Sequence, residues 1–266
     1  MTPFFVESIA MLGPGLPDWQ TSIDMLRNPV RFAPGAAPGI TTAPAKANGR
    51  RRTTPVIRLA LQVTDQLARD SSLDLSKATS IFASSSGDLQ VLDKVCTSLT
   101  EEDPPVSPKQ FQNIVHNAAG GFWSLEAGAK GTTTSLSARE SSFTAGLIEA
   151  YTCLIDVDAP VVFACYDHPA PPLLDRYLPI PTPFASAMVL TREPTSNSRF
   201  ALACDIHPEQ PETVMIDHPE LERLRTTHTA ARGLPLFHTM ANGGGRVCLS
   251  YIGPRSLVID VDPIHQ

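Results

Sequence analysis

A layered α/β fold is the class this sequence predicts, and three features predict it. Stretches with apolar residues at helical spacing alternate along the chain with short apolar or β-branched stretches. The run APVVFACY (159–166) is continuously apolar, as expected of a strand covered on both faces. The 266 residues are 42% hydrophobic and 18% charged, enough for a sizeable core and without the charge excess of a disordered chain. No internal repeat or second domain is visible, so one domain over 1–266 is expected.

The elements follow in order. Residues 1–12 suit a strand ended by a Gly-Pro turn. Residues 33–53 are rich in Pro, Ala, Gly and Thr and read as a loop. Val56, Leu59, Ala60, Val63 and Leu67 then repeat at helical spacing, with Pro55 in the first turn. SIFASSSGD (80–88) reads as a strand leaving into a small-residue turn, where Gly87 allows geometry closed to other residues. Residues 100–107 are acidic and Pro-rich, a loop. KQFQNIVHNAAGGFWSLEAG reads as one or two helices broken near Gly120-Gly121, and TTTSLSA as a strand. FTAGLIEAYTCLI (143–155) puts Phe143, Leu147, Tyr151 and Leu154 on one helical face. Six prolines make DHPAPPLLDRYLPIPTP a loop. FASAMVLTRE and RFALACDI are strands and PELERLRTTHTAAR is a helix. GRVCLSYIGPRSLVIDV is a hairpin turning near Gly253-Pro254.

Several function classes are disfavoured. A net charge of −6 argues against nucleic acid as a main partner. The only basic run, Arg50 to Arg52, reads as a solvated loop. Five cysteines without a CxxC pair fit free thiols in a reducing compartment. The N-terminal stretch lacks a basic n-region and no apolar run reaches 18 residues, so neither a signal peptide nor a membrane span is expected, and a cytoplasmic protein is. The seven histidines show no metal-ligand spacing. NGGGR (242–246) precedes a strand rather than a helix and makes a poor phosphate cradle. No cofactor motif and no GxSxG elbow occur.

Residues 108–150 carry a pattern of fixed order: Ser107-Pro108, Asn117, Gly120-Gly121, Gly128, Lys130-Gly131, a β-branched strand, and a helix reaching Ala150. This pattern resembles the condensing enzymes, the β-ketoacyl synthases. IRLALQVTDQLARDSSL, SIFASSSGDL and FASAMVLTRE extend the resemblance over 55–195, with 196–266 as a reduced C-terminal part. It implies a thiolase-like layered α/β/α fold, truncated relative to a complete ketosynthase. Counting from Gly131 or from Ala150, the family's nucleophilic Cys falls on Glu140. A thiol there is activated by the helix N-terminus. A carboxylate tolerates the same field but cannot carry an acyl thioester. The family's two C-terminal histidine motifs are also missing.

The remaining pattern looks like a chain-length factor, a synthase-like subunit without the nucleophile that pairs with an active ketosynthase. PGLPDW (14–19) is similar to the short class from aryl polyene and xanthomonadin-like pigment clusters. The resemblance implies a heterodimer with the ketosynthase and contact with acyl carrier protein through it. It also implies a tunnel wall or interface made by Phe111, Gln112, Val115, His116, Asn117 and Phe122. Alternatives are a stand-alone enzyme with Glu140 as acid or base and a non-catalytic assembly protein. Arg139 is either an interface cation or a surface residue.

Overall fold

The computed structural model describes residues 2–28, 30, 32–36, 38–41, 52–102, 108–209, 211–214 and 218–264. Arg50, Arg51, Ser107 and His265 lie outside them, and with them most of the basic run and the first residue of the Ser-Pro pattern. The strands are β1 (Phe4–Leu12), β2 (Thr79–Ala83), β3 (Thr133–Leu136), β4 (Val161–Asp167), β5 (Phe184–Thr191), β6 (Phe200–Pro208), β7 (Gly245–Ser250) and β8 (Arg255–Pro263). The helices are α1 (Trp19–Arg27), α2 (Pro55–Asp70), α3 (Leu89–Ser98), α4 (Pro108–Ile114), α5 (Ala118–Ala127), α6 (Ser142–Asp156), α7 (Pro172–Asp175), α8 (Pro219–Thr227) and α9 (Leu234–Ala241).

All eight strands join one sheet in the order β3-β2-β4-β5-β1-β6-β8-β7. β3, β2 and β4 run parallel, and the remaining pairings are antiparallel. Helices cover both faces of the central strands, giving the layered α/β/α arrangement expected. α2 lies on one face over β1, β5 and β4, and α6 lies on the other over β4 and β2. β4 shows why its sequence is apolar throughout. Val161, Phe163 and Cys165 enter the core under α6, and Val162, Ala164 and Tyr166 enter the core under α2.

β1 carries a bulge between Val6 and Ser8. Before it Phe4 and Val6 face the α6-side core, and after it Ile9 and Met11 do. The extra residue switches the parity of the alternation and keeps both halves of the strand in register. Glu7 at the bulge is buried and accepts from Ser71 Oγ (2.7 Å) and from Ser72 N (2.9 Å) and Oγ (2.8 Å). Burial pushes its carboxyl up, but the bonds from Ser72, Ser71 and Asn197 together hold it below the usual value.

β6, β8 and β7 pack only one face. Leu202, Cys204, Leu257, Ile259, Val247 and Leu249 join the α6-side core, while Asp205, Asp262, Arg246 and Ser250 are exposed on alternate positions. The two sheet edges differ. At β7, Thr213 N donates to Cys248 O and Thr213 Oγ1 accepts from Cys248 N, both at 2.8 Å. At β3, no strand among the described residues pairs with the outer edge.

Three sequence expectations need correction. The helical stretch after Pro108 breaks at 115–117, not at Gly120-Gly121. Gly120 lies inside α5 because α5 presses onto the sheet there: a Cβ would stand 2.7 Å from Thr133 Cγ2 and 3.2 Å from Phe82 Cδ2. The helix expected over 219–232 is α8 followed by a 3-10 turn, Thr229–Gly233, with a break at His228. Helices α1, α3 and α9 lack a counterpart in the sequence pattern, and the short α7 interrupts the proline-rich stretch expected to be a loop. Asp18 caps α1 by accepting from Thr21 N (2.7 Å), and Asp88 caps α3 by accepting from Val91 N (3.1 Å).

Candidate functional site

β2, β3 and β4 are parallel, so the loops at their carboxyl ends gather at one edge of the molecule. This is where an open α/β sheet places its functional groups. The loop after β2, Ser84 to Gly87, is the hub. Its tight turn needs Gly87 at φ 65. Asp167, the last residue of β4, is fully buried and accepts from Ser84 Oγ (2.7 Å), Ser85 N (2.9 Å) and Thr229 Oγ1. Burial pushes this carboxyl up, and the bonds from Thr229, Ser84 and Ser85 oppose that shift. Ser137 Oγ, from the segment after β3, donates to Ser85 O (2.8 Å). His116 Nε2 lies 3.1 Å from Ser84 O and donates to it. One loop therefore ties together the ends of β2, β3 and β4, the α4–α5 junction and the 3-10 turn at 229–233.

The strand-to-helix turn between β3 and α6 is the 3-10 segment Arg139–Ser141. Its left-handed residue is Arg139, φ 52, one position before Glu140. Ser142 Oγ closes the turn, accepting from Ala138 N (3.0 Å) and donating to Arg139 O (2.7 Å). Neither Arg139 nor Glu140 offers a thiol. Of the cysteines, only Cys153 shares α6, and it is about 16 Å down the helix from Ser142 at the ordinary rise per residue.

Glu140 is exposed at the rim of a cavity of about 430 Å³. Leu178, Ile180 and Pro181 give it apolar lining, and Thr229, which bonds to Asp167, lines it together with Arg223 and Arg232. Glu140 does not close its pocket by bonding to helix N–H groups: no hydrogen bond or ion pair of its carboxylate is present among the described residues. Arg223 is engaged by Glu220 (2.6 Å), and Arg232 Nη2 donates to Thr226 O (3.0 Å).

Two further histidines lie at this edge. His228 is fully buried: Nε2 donates to Thr182 O (2.7 Å) and Nδ1 accepts from Ala230 N (3.2 Å). Both ring nitrogens are used, and burial lowers its pKa to about 4, with the bond to Thr182 opposing. Its folded pKa lies below the unfolded value near 6.5, so the unfolded chain binds the proton first as pH falls. Stability contributed by neutral His228 is complete above about pH 6.5 and is lost as pH falls towards about 4. Between about pH 7.5 and pH 5 the loss is on the order of 2 kcal/mol. Burial lowers His168 too, in the same direction, whereas Asp167 acts oppositely because its folded pKa is raised. Denaturant unfolding of wild type and His228→Gln at the two pH values checks this: the variant should lose most of the difference between them.

The expected site residues separate into two groups. Phe111, 61% exposed, and Val115, 45% exposed, project from α4 and the turn after it, with Gln112 and Asn117 also exposed and His116 half-buried. Phe122 is different. It is buried in the α2-side core and does not face outward, so its position supports packing rather than a partner-facing wall. The sequence reading missed Asp167, Thr229 and the cavity wall 177–181. A carboxylate closing a wholly apolar strand was the available signal for Asp167.

Comparison with known proteins follows from this geometry. The family described as beta-ketoacyl synthase, N-terminal domain, matches residues 27–245. The chain belongs to this family. No curated protein matches it. Among solved structures, this β-ketoacyl synthase family member is similar to a chain of the ketosynthase ApeO in complex with its chain length factor ApeC from Xenorhabdus doucetiae. The TM-score is 0.74 at 19% identity, over 98% of this chain and 100% of that one. A chain of the ishigamide ketosynthase/chain length factor gives TM-score 0.75 at 12% identity, over 100% of both. A chain of AntDE:AntF, a type II PKS acyl-carrier protein in complex with its ketosynthase, gives 0.75 at 11%, over 99% of both. At these identities the likeness establishes the thiolase-like fold.

Proposed function

We propose that this chain is a chain-length-factor-type subunit that pairs with an active ketosynthase and shapes its acyl tunnel, without forming an acyl thioester itself. The observation that carries this reading is the turn before α6. Where the family holds a nucleophilic thiol at a helix start, this chain presents Arg139 and Glu140. His228, buried with both nitrogens engaged, is not free to exchange protons with a substrate. Two of the similar structures are described as ketosynthase and chain length factor together.

The open edge of β3 and the exposed Phe111 and Val115 form the surface offered to the ketosynthase. An unpaired edge strand is a ready template for pairing with a second chain. Phe111, Gln112, Val115 and His116 then line the tunnel from this side, and acyl carrier protein docks on the ketosynthase. The elongated product is of the polyene class, and the complex acts in the cytoplasm.

The test is intact-mass measurement of both subunits after the assembled pair meets acyl-loaded carrier protein. An acyl adduct is expected on the ketosynthase alone, and an adduct on this chain contradicts the reading. Glu140→Gln should leave the rate of the complex within about twofold of wild type, because its exposed carboxylate has no partner to act with. A loss of tenfold or more, measured as product formed per complex, would instead make Glu140 an acid or base.

A further inference from the structure

We propose that Arg139 is the electrostatic anchor of the partner interface and pairs with a carboxylate on the ketosynthase subunit, an inference that rests on the reading above. Arg139 has φ 52. The left-handed region costs a residue with a Cβ about 1 kcal/mol or more, and glycine little. Glu209 is the only other non-glycine residue with positive φ among the described residues. The turn does not need the arginine side chain: Ser142 Oγ holds it closed through the backbone of Ala138 and Arg139.

The Arg139 guanidinium is exposed and has no ion pair or hydrogen bond among the described residues. Arg69, Arg199, Arg223, Arg225 and Arg246 each have a carboxylate partner within this chain. Ser142 therefore holds Arg139 in an unfavourable backbone conformation through main-chain atoms, while the arginine side chain itself has no partner among the described residues. Strain that persists at a turn of this kind points to use.

Its position says what the use is. Arg139 stands three residues beyond Leu136, the end of the unpaired edge strand β3. Ser137, between them, is hooked to Ser85 O, and the adjoining Ser84 O receives His116 from the segment that exposes Phe111 and Val115. The segment after the open edge, which leads into the elbow, and the segment that exposes the apolar side chains are therefore both tied to the 84–87 loop. Glu140 lines the cavity with Arg223 and Arg232, and Arg139 does not. A chain seated on the β3 edge meets a free guanidinium, whose planar fork matches one carboxylate with two parallel bonds.

Arg139→Gly tests the anchor, because it removes the cation and relieves the backbone together. The variant subunit should unfold at the wild-type denaturant midpoint or above it. Its complex with the ketosynthase should be at least tenfold weaker by calorimetry, with a shallower dependence on salt. Arg139→Lys should recover part of the affinity and Arg139→Gln none. Wild-type affinity in Arg139→Gly overturns the anchor and leaves the chain-length-factor reading standing. Failure of the wild-type chain to bind the ketosynthase overturns both.

Discussion

Truncating Phe111 to alanine in the assembled complex is expected to lengthen the acyl product by at least one elongation unit. Phe111 leaves 61% of its surface open although it is a large apolar side chain, and α4 offers it no neighbour to cover it. Within the chain alone it does little, so Phe111→Ala should change the unfolding free energy of the isolated subunit by no more than about 0.5 kcal/mol. In the proposed complex the ring is a wall of the tunnel. Close-packed interiors yield little, so a ring in the path of a growing chain stops it by contact, and removing the ring opens that space. Mass spectrometry of released products reads the shift. An unchanged length distribution from Phe111→Ala would remove Phe111 from the tunnel. Phe122 is a poor probe for the same purpose, since its burial in the core couples any length change to loss of packing.

The second large effect is on the site's framework. Asp167→Ala should lower stability by about 3 kcal/mol or more, because it strands a part-buried backbone N–H at Ser85 and two hydroxyl groups aimed at one buried carboxylate. Neutralising a carboxyl whose pKa burial has raised would by itself favour folding. The geometry decides against that gain, since three donors converge on two oxygens and alanine replaces neither. Asp167→Asn restores one acceptor oxygen and should fall between wild type and alanine. The loss should also be local: amide exchange over 228–233 should quicken, because Thr229 ties that turn to the sheet. Denaturant unfolding with hydrogen exchange measures both, and an alanine variant within 1 kcal/mol of wild type would remove Asp167 as the hub.

Much of this fold is legible in the sequence because the signals are local. The apolar run of β4 states burial on both faces, and Val56 to Leu67 state one helical face. The alternation of Ile259 and Val261 with Asp260 and Asp262 states a strand covered on one side. What escaped reading depends on distant contacts. Gly120-Gly121 looks like a helix break, yet Gly120 is there because Thr133 and Phe82 leave no room for a Cβ. The break at His228 goes with the bond of its ring to Thr182, 46 residues away, which local pattern does not reveal.

The site was half legible. Spacing brought the reading to the turn at Arg139 and Glu140 and showed that it holds no thiol. It could not show that the left-handed residue is Arg139, because backbone dihedrals are set by the closure through Ser142. Nor could it find Asp167 and Thr229, which lie 62 residues apart and meet only when the 3-10 turn 229–233 folds over the sheet end.

The central claim is that this chain works as one half of a pair. Co-expression with a ketosynthase from the same biosynthetic system, followed by size-exclusion chromatography with mass determination, tests it most directly. The account predicts a stable one-to-one complex that survives the column. A monomer or a homodimer that ignores the ketosynthase would contradict it.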